Sequence, residues 1–457
     1  MTRLSHDDTL KHGAFLSSPE PHVLMITNHG VHEWQVIPGL PDTGGQNVFV
    51  NQFTDSIINF GYKVTIVNRG GYPHPNTGKI QAGIHYKNEN QRILYLEDGK
   101  NEFVRKEDMH EQIPALVESL KKHLHDEDSV IDLIISHYWD AAQIGFLYNN
   151  MLEMRVKHIW VPHSLGELKK SNVNPDRWME LRIDERIQVE TALIDALDGV
   201  VSTSSTVKQT LLDDYGYSGP DLFLPPCVNT DRFHPRQVPQ DHEIWQFLSD
   251  HSGLRPQEIR KCKIISEISR TDTTKRKDVL IKAFARAQEE HPDSLLVVSI
   301  DAAYQSLAQA LSDLINHLGI RAHTAVVGSI WDILPSLYAV TDIYCTPSIM
   351  EGFGMSAQEA AATGVPVVSS NLVPFVSEYL LGSEINNYSS GDTQVLVGTG
   401  AIVAEADDVE GFSFALNILL SDDNLRETLG RNALKITVPY FTWENMVKIL
   451  LERIAAD

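Results

Sequence analysis

Short apolar runs alternate with longer segments of helical periodicity almost from end to end of the chain, the pattern of parallel sheets covered by crossover helices. A first series of strands is predicted at HVLMIT (22–27), YKVTIVN (62–68), RILYL (92–96), DLIIS (132–136), HIWV (158–161), DGVVST (198–203) and DLFLP (221–225). A second is predicted at KIISEIS (263–269), SLLVVSI (294–300), TAVVGS (324–329), TDIYCT (341–346), PVVSS (366–370) and GAIVA (400–404). Between them lies the polar, Pro-bearing stretch PPCVNTDRFHPRQVPQDHE (225–243), which has the composition of a connector. Two α/β domains are therefore expected, at 1–235 and 236–437, followed by a closing helix (438–457) with Met446, Ile449, Leu450 and Ile454 on its apolar face.

Composition narrows the partners. The 457 residues carry 38 Lys and Arg against 61 Asp and Glu, so 38 − 61 gives a net charge of −23. That field repels phosphate backbones, which argues against nucleic acid or an anionic membrane as a partner. An anionic nucleotide would need a few local cations and backbone N–H groups. Three widely spaced cysteines, Cys227, Cys262 and Cys345, fit neither a disulfide framework nor a zinc site. The N-terminus lacks the apolar core of a signal peptide, and no run reaches membrane-spanning length. A cytoplasmic enzyme acting on small molecules, as monomer or homodimer and without stable membrane insertion, is expected. No metal is expected: the D-x-D at Asp126-Glu127-Asp128 reads as a solvated linker, and 19 histidines show no H-E-x-x-H spacing.

Three stretches and two histidines carry the candidate chemistry. In PDTGGQNVFVNQF (41–53), Gly44 and Gly45 precede an amphipathic helix, so a ligand phosphate could meet both backbone and helix N-terminus. A tight turn has the same appearance, and the motif is not G-x-G-x-x-G. In ISRTDTTKRKDVLIKAF (268–284), Arg270 and Lys275 lie in a strand-to-helix loop. Cations there oppose the helix dipole unless an anion neutralises them, which favours a diphosphate ligand over a solvated helix start. Lys275 is expected to face solvent and to contribute little to folding. In SIMEGFGMSAQEAAATGVPVVSS (348–370), Glu351 precedes a Gly-x-Gly turn and Glu359 sits on the helix that follows. Carboxylates so placed suit the vicinal hydroxyls of ribose or hexose. His137 and His163 each end a predicted strand, on the edge where open α/β sheets bind ligands.

Taken in order, these motifs resemble the retaining glycosyltransferases of the double-Rossmann GT-B fold, in the family 4 type that includes sucrose-phosphate synthase, sucrose synthase and mannosylfructose-phosphate synthase. PDTGGQNVFV is similar to that group's Gly-Gly-Gln acceptor loop, SHYWDA and PHSLGELKK to its histidine-bearing strand ends, and ISRTDTTKRK to its diphosphate loop. Glu351 to Glu359 matches its E-x7-E signature.

The resemblance implies two parallel sheets facing a central cleft, with the C-terminal helix crossing back to the N-terminal domain. It implies that Arg270 and Lys275 stabilise the departing diphosphate, that Glu351 and His163 attend the donor hexose, and that Glu359 binds ribose. Gly45, Gly354, Met355 and Ser356 complete the donor set, while Gly44, Gly45, Gln46, His137, Lys100 and Arg105 serve the acceptor. The donor is a UDP-, ADP- or GDP-hexose, with no resident cofactor. The chain departs from the group in three places: Arg276 stands where Asn is usual, Gly352 where Pro is common, and Glu102 where an acceptor-phosphate Lys is expected. Two other readings are a transferase extending a polysaccharide or lipid-linked glycan and a non-catalytic sugar-nucleotide-binding regulator.

Overall fold

The computed structural model describes residues 6–28, 30–35, 45–74, 77–328 and 330–456. It divides into two compact units, Met1–Pro225 with Met446–Asp457, and Pro226–Asn445. The change of unit falls inside the Pro-bearing stretch. Beyond it, the Val228 N–H donates to the Phe441 carbonyl at 2.9 Å and Phe233 joins the core of the second unit, which draws 226–235 to that side.

In the first unit the strands are β1 (His22–Thr27), β2 (Lys63–Arg69), β3 (Gly83–Asn88), β4 (Gln91–Leu96), β5 (Leu133–His137), β6 (Lys157–Val161), β7 (Gly199–Ser202) and β8 (Leu222–Phe223). The sheet runs β3-β4-β2-β1-β5-β6-β7-β8, all parallel except the β3/β4 pair. Strands β1 and β4 are buried along their whole length. That is why they read as continuous apolar runs rather than alternating ones.

The second unit repeats the plan with β9 (Lys263–Glu267), β10 (Ser294–Ser299), β11 (Thr324–Val327), β12 (Ile343–Thr346), β13 (Val367–Ser370), β14 (Asn386–Ser390), β15 (Thr393–Val397) and β16 (Ala401–Ala404). Its order is β11-β10-β9-β12-β13-β16-β15-β14, with β14 and β15 antiparallel. Setting aside the antiparallel edge strands and β8, both sheets follow the doubly wound sequence third-second-first-fourth-fifth-sixth. The strand order reverses between β1 and β5 in one unit and between β9 and β12 in the other. Ligands of such sheets lie outside the carboxyl ends of the strands at those switch points.

Three strands escape the apolar pattern: β3, and the β14–β15 hairpin. Strand β14 (NNYSS) is exposed throughout, so it carries no buried face for a periodicity to mark. The closing helix runs Trp443–Ala456 rather than from 438, and Thr442 caps its start, its hydroxyl oxygen accepting from the Asn445 N–H at 3.3 Å. Met446, Val447, Leu450 and Ile454 form its buried face, Val447 taking the place expected of Ile449. The Lys157 ammonium donates to the Ile454 carbonyl at 2.7 Å and fastens the helix to β6. Among the described residues no helix is long and apolar enough to cross a membrane.

Candidate functional site

In the second unit the loop between β9 and the helix Lys277–Glu290 stands at the switch point. Asp272 caps the short turn Thr273–Lys275, its carboxylate accepting from the Thr274 N–H at 2.9 Å. The turn aims Lys275 inward, where its ammonium lies 2.6 Å from Glu351 Oε1. The two side chains are only 8% and 19% exposed, so Lys275 is not the solvent-facing cation the sequence suggested. Removing it would leave the Glu351 carboxylate stranded and cost stability as well as any function. Arg270, in the same loop, is 81% exposed, 3.8 Å from Asp272, and does not share this contact.

The loop bearing Glu351 follows β12 and is stitched to the first: the Ile349 N–H donates to the Thr274 carbonyl at 2.8 Å, and the Ser348 hydroxyl to the same oxygen at 3.3 Å. Gly354 then opens the helix Met355–Ala362 at φ +110°, and a Cβ there would stand 2.7 Å from Val373 Cγ1, so only glycine fits. Gly352 is exposed and has open space around it, so the Pro of the related sequences is not required. Met355 and Ser356 lie half-buried on the first turn, where backbone N–H groups have no preceding turn to bond.

Arg276 adopts the left-handed conformation at φ +48°, which Asn and Gly enter more readily than Arg. Ion pairs to Asp278, at 3.1 Å, and to Asp407 hold it there. Glu359 sits one turn into its helix, and desolvation raises its carboxyl pKa to about 8 against the pull of Arg232. Arg232 stands over the Trp331 ring, its Cζ 3.9 Å from the ring centroid, and donates to the Trp331 carbonyl. Neither residue carries a sequence motif, and the sequence reading missed both.

In the first unit the other candidates converge at the β1/β5 switch point. His137 is the last residue of β5 and wholly buried; His163 lies just past β6 at φ +56°. Their rings stack with centroids 5.1 Å apart, and His137 Nδ1 is hydrogen-bonded to His163 Nε2 at 2.8 Å. Phe49, on the helix Gly45–Ile58, presents its ring to His163 at 4.9 Å, edge to face. On the same helix the Gln46 amide donates to Thr27 Oγ1 at 2.8 Å, and Thr27 is the strand neighbour of His137. Gly45 begins that helix with open space about it; Gly44 lies outside the described residues.

Burial, and then His163 and His32, press the His137 pKa far below the ordinary imidazole range, so it is neutral and hydrogen-bonds without charge. Lys100 and Arg105 do not join this group. Arg105 pairs with Asp108 at 3.0 Å and Lys100 stands 3.9 Å from Glu111, both on the surface. Their loop is anchored by the buried Arg69, which binds Asp98 at 2.7 Å and the Lys100 and Glu102 carbonyls at 3.3 and 3.0 Å. Glu102 itself is exposed. The D-x-D segment is not a free linker either, because Glu127 holds the buried Arg92 through both oxygens at 2.9 and 2.7 Å.

The chain as a whole has relatives. Residues 43–232 match the model "Glycosyltransferase Family 4", and residues 255–436 match "Glycosyl transferases group 1". A mannosylfructose-phosphate synthase from Agrobacterium fabrum is 25% identical over 94% of this chain and 90% of its own. A D-inositol 3-phosphate glycosyltransferase from Corynebacterium aurimucosum is 27% identical over 92% of each. Among solved structures, a sucrose-phosphate synthase from Thermosynechococcus elongatus superposes with TM-score 0.70 at 21% identity, over 96% of this chain and 100% of that one. Anabaena HepE in complex with UDP and glucose gives 0.64 at 15%, over 96% and 100%.

Proposed function

The chain belongs to the GT-B glycosyltransferases of the family 4 type, and from that premise we propose that it is a retaining hexosyltransferase. It moves a hexose, glucose by preference, from a UDP-, ADP- or GDP-sugar to a small polar acceptor. The acceptor class is a sugar or polyol, with fructose 6-phosphate first among candidates. The observation that carries this reading is the Lys275–Glu351 contact at the β9/β12 switch point, with Glu359 on the next helix. It sets a cation for a diphosphate beside carboxylates for two sets of sugar hydroxyls. The relatives named above, a mannosylfructose-phosphate synthase and a D-inositol 3-phosphate glycosyltransferase, favour a small phosphorylated acceptor over a growing glycan.

In this reading the bond from the anomeric carbon to the diphosphate oxygen breaks while the acceptor oxygen bonds to the same face of that carbon. The acceptor hydroxyl proton passes to the departing diphosphate. Lys275 and Arg270 offset the negative charge that develops on the leaving group, the part a divalent ion takes in other transferases. Glu351 orients the hexose, and Glu359 the ribose. Gly354, Met355 and Ser356 present the helix N-terminus to the donor. The imidazoles of His163 and of the neutral His137 serve the hexose and the acceptor through hydrogen bonds, with Gly45 and Gln46 beside them. Lys100 and Arg105 reach an acceptor phosphate only by leaving Glu111 and Asp108.

The test is a donor-by-acceptor screen read by mass spectrometry: UDP-, ADP- and GDP-glucose and GDP-mannose against fructose, fructose 6-phosphate, inositol 3-phosphate, glycerate and glycerol phosphate. One pairing is expected to yield acceptor plus one hexosyl unit together with free nucleoside diphosphate. No product from any pairing would refute the assignment of a small polar acceptor.

A further inference from the structure

Directly beneath the loop that carries Arg270 and Lys275 lies a second pair of opposite charges. Glu267, the last residue of β9, and Lys277, the first of the following helix, form an ion pair whose side chains are 0% and 1% exposed. The two residues therefore bracket the loop at its entry and its exit. The Lys277 ammonium makes further contacts to Ser269 Oγ at 3.0 Å, to the Ser269 carbonyl at 3.3 Å and to Ser299 Oγ, at the end of β10, at 3.1 Å. Ser269 Oγ donates in turn to Glu267. Ser299 Oγ accepts from the Ser269 N–H at 3.0 Å and donates to the Ser269 carbonyl at 2.6 Å. A little further on, Thr271 Oγ1 accepts from the Asp301 N–H at 2.8 Å.

This arrangement is poorly explained by stability alone. Taking two charges out of water is costly, and well-packed apolar side chains of similar volume commonly replace such a pair without loss. Desolvation pushes the Lys277 pKa down while Glu267 pulls it back up, the balance expected of a charge kept in place by one partner. What apolar substitutes cannot supply is direction. The ammonium reaches four oxygens, three of them on the two residues that flank the start of the loop, and Glu267 closes the network.

We propose that the buried Glu267–Lys277 pair is the positioning element of the diphosphate loop, fixing where Lys275 stands against Glu351 without touching a ligand. The proposal rests on the donor reading given above. Because the pair is neutral as a unit, removing both charges leaves the field at the diphosphate nearly unchanged. Any loss of affinity then reports geometry.

The experiment compares the full chain with the double variant Glu267→Leu/Lys277→Met by thermal unfolding, amide hydrogen exchange of residues 268–276, and calorimetric titration with UDP, ADP and GDP. The double variant is expected to stay folded with its melting midpoint moved by only a few degrees, to exchange its loop amides faster, and to bind the preferred diphosphate about 10-fold more weakly, since small misplacements of binding groups are expensive. Wild-type loop exchange or wild-type affinity in the folded double variant overturns the proposal. Should that variant fail to fold, Ser299→Ala, which removes one hub of the network and no charge, decides by the same two readouts. A wild-type chain that binds none of the three diphosphates refutes the donor reading instead, and loop exchange alone then decides whether the pair positions the loop.

Discussion

At the scale of single residues, the site is made by burial acting on charge. Glu359 is the clearest case: desolvation holds its carboxyl near a pKa of about 8, well above the usual range for Glu. At pH 7 most molecules therefore carry it protonated. An ionised carboxylate is the stronger acceptor for ribose hydroxyls, so the proposed ribose binding at this residue is expected to release a proton. Titrating the preferred diphosphate at pH 7 in two buffers of different ionisation enthalpy is expected to show proton release, and Glu359→Gln to abolish it. Equal release in wild type and variant would contradict the assignment of Glu359 to the ribose.

Residue identity alone singled out Lys275, Glu351, Glu359 and the two histidines as candidates, because a cation in a strand-to-helix loop or a histidine at a strand end is unusual enough to notice. It did not foretell that Lys275 would be buried against Glu351, which depends on the cap made by Asp272 and on two loops lying side by side. Nor did it single out Glu267 and Lys277. A Glu closing an apolar strand and a Lys within a basic run look solvated until the fold sets them face to face.

At the scale of elements, the long buried strands were legible because apolar side chains must occupy both faces of a covered parallel sheet. Strands β3, β14 and β15, at the sheet margins, were not, since few of their residues are buried and no sustained pattern results. The buried strands also bring histidines into the first unit. Burial is the main cause that lowers the pKa of His22 and His158 to about 3 and of His32 to about 4, and it lowers that of His137 as well. For each, the folded pKa lies below the unfolded value near 6.5, so the unfolded chain takes up more protons in acid. Their contribution is complete above about pH 6.5 and is lost as pH falls through that value toward the folded pKa.

Glu359 acts in the opposite sense in the second unit: its raised pKa costs stability above about 8, a cost that fades as pH falls toward 4.5. Acidification from pH 7 to pH 5 is therefore expected to loosen the first unit before the second, as read by hydrogen exchange resolved to peptides of each. Equal loosening of both units, or none, would contradict this.

At the scale of the whole molecule, two copies of one doubly wound plan divide the chemistry. The unit Pro226–Asn445 holds the cation and the carboxylates proposed for the donor, and the other unit holds the stacked imidazoles and the Gln46 helix proposed for the acceptor. This division was readable in the sequence as two series of strands, each with its chemical residues just past strand ends. The acceptor was not, because Lys100 and Arg105 are turned to Glu111 and Asp108 and leave no phosphate-binding geometry to interpret.

The central claim is that a hexose leaves a nucleotide diphosphate and joins the acceptor on the same face of its anomeric carbon. Proton NMR of the product formed from an α-linked nucleotide hexose measures this directly, through the coupling of the anomeric proton. An α-linked product is expected; a β-linked product, or free hexose from hydrolysis with no transfer, would contradict retention.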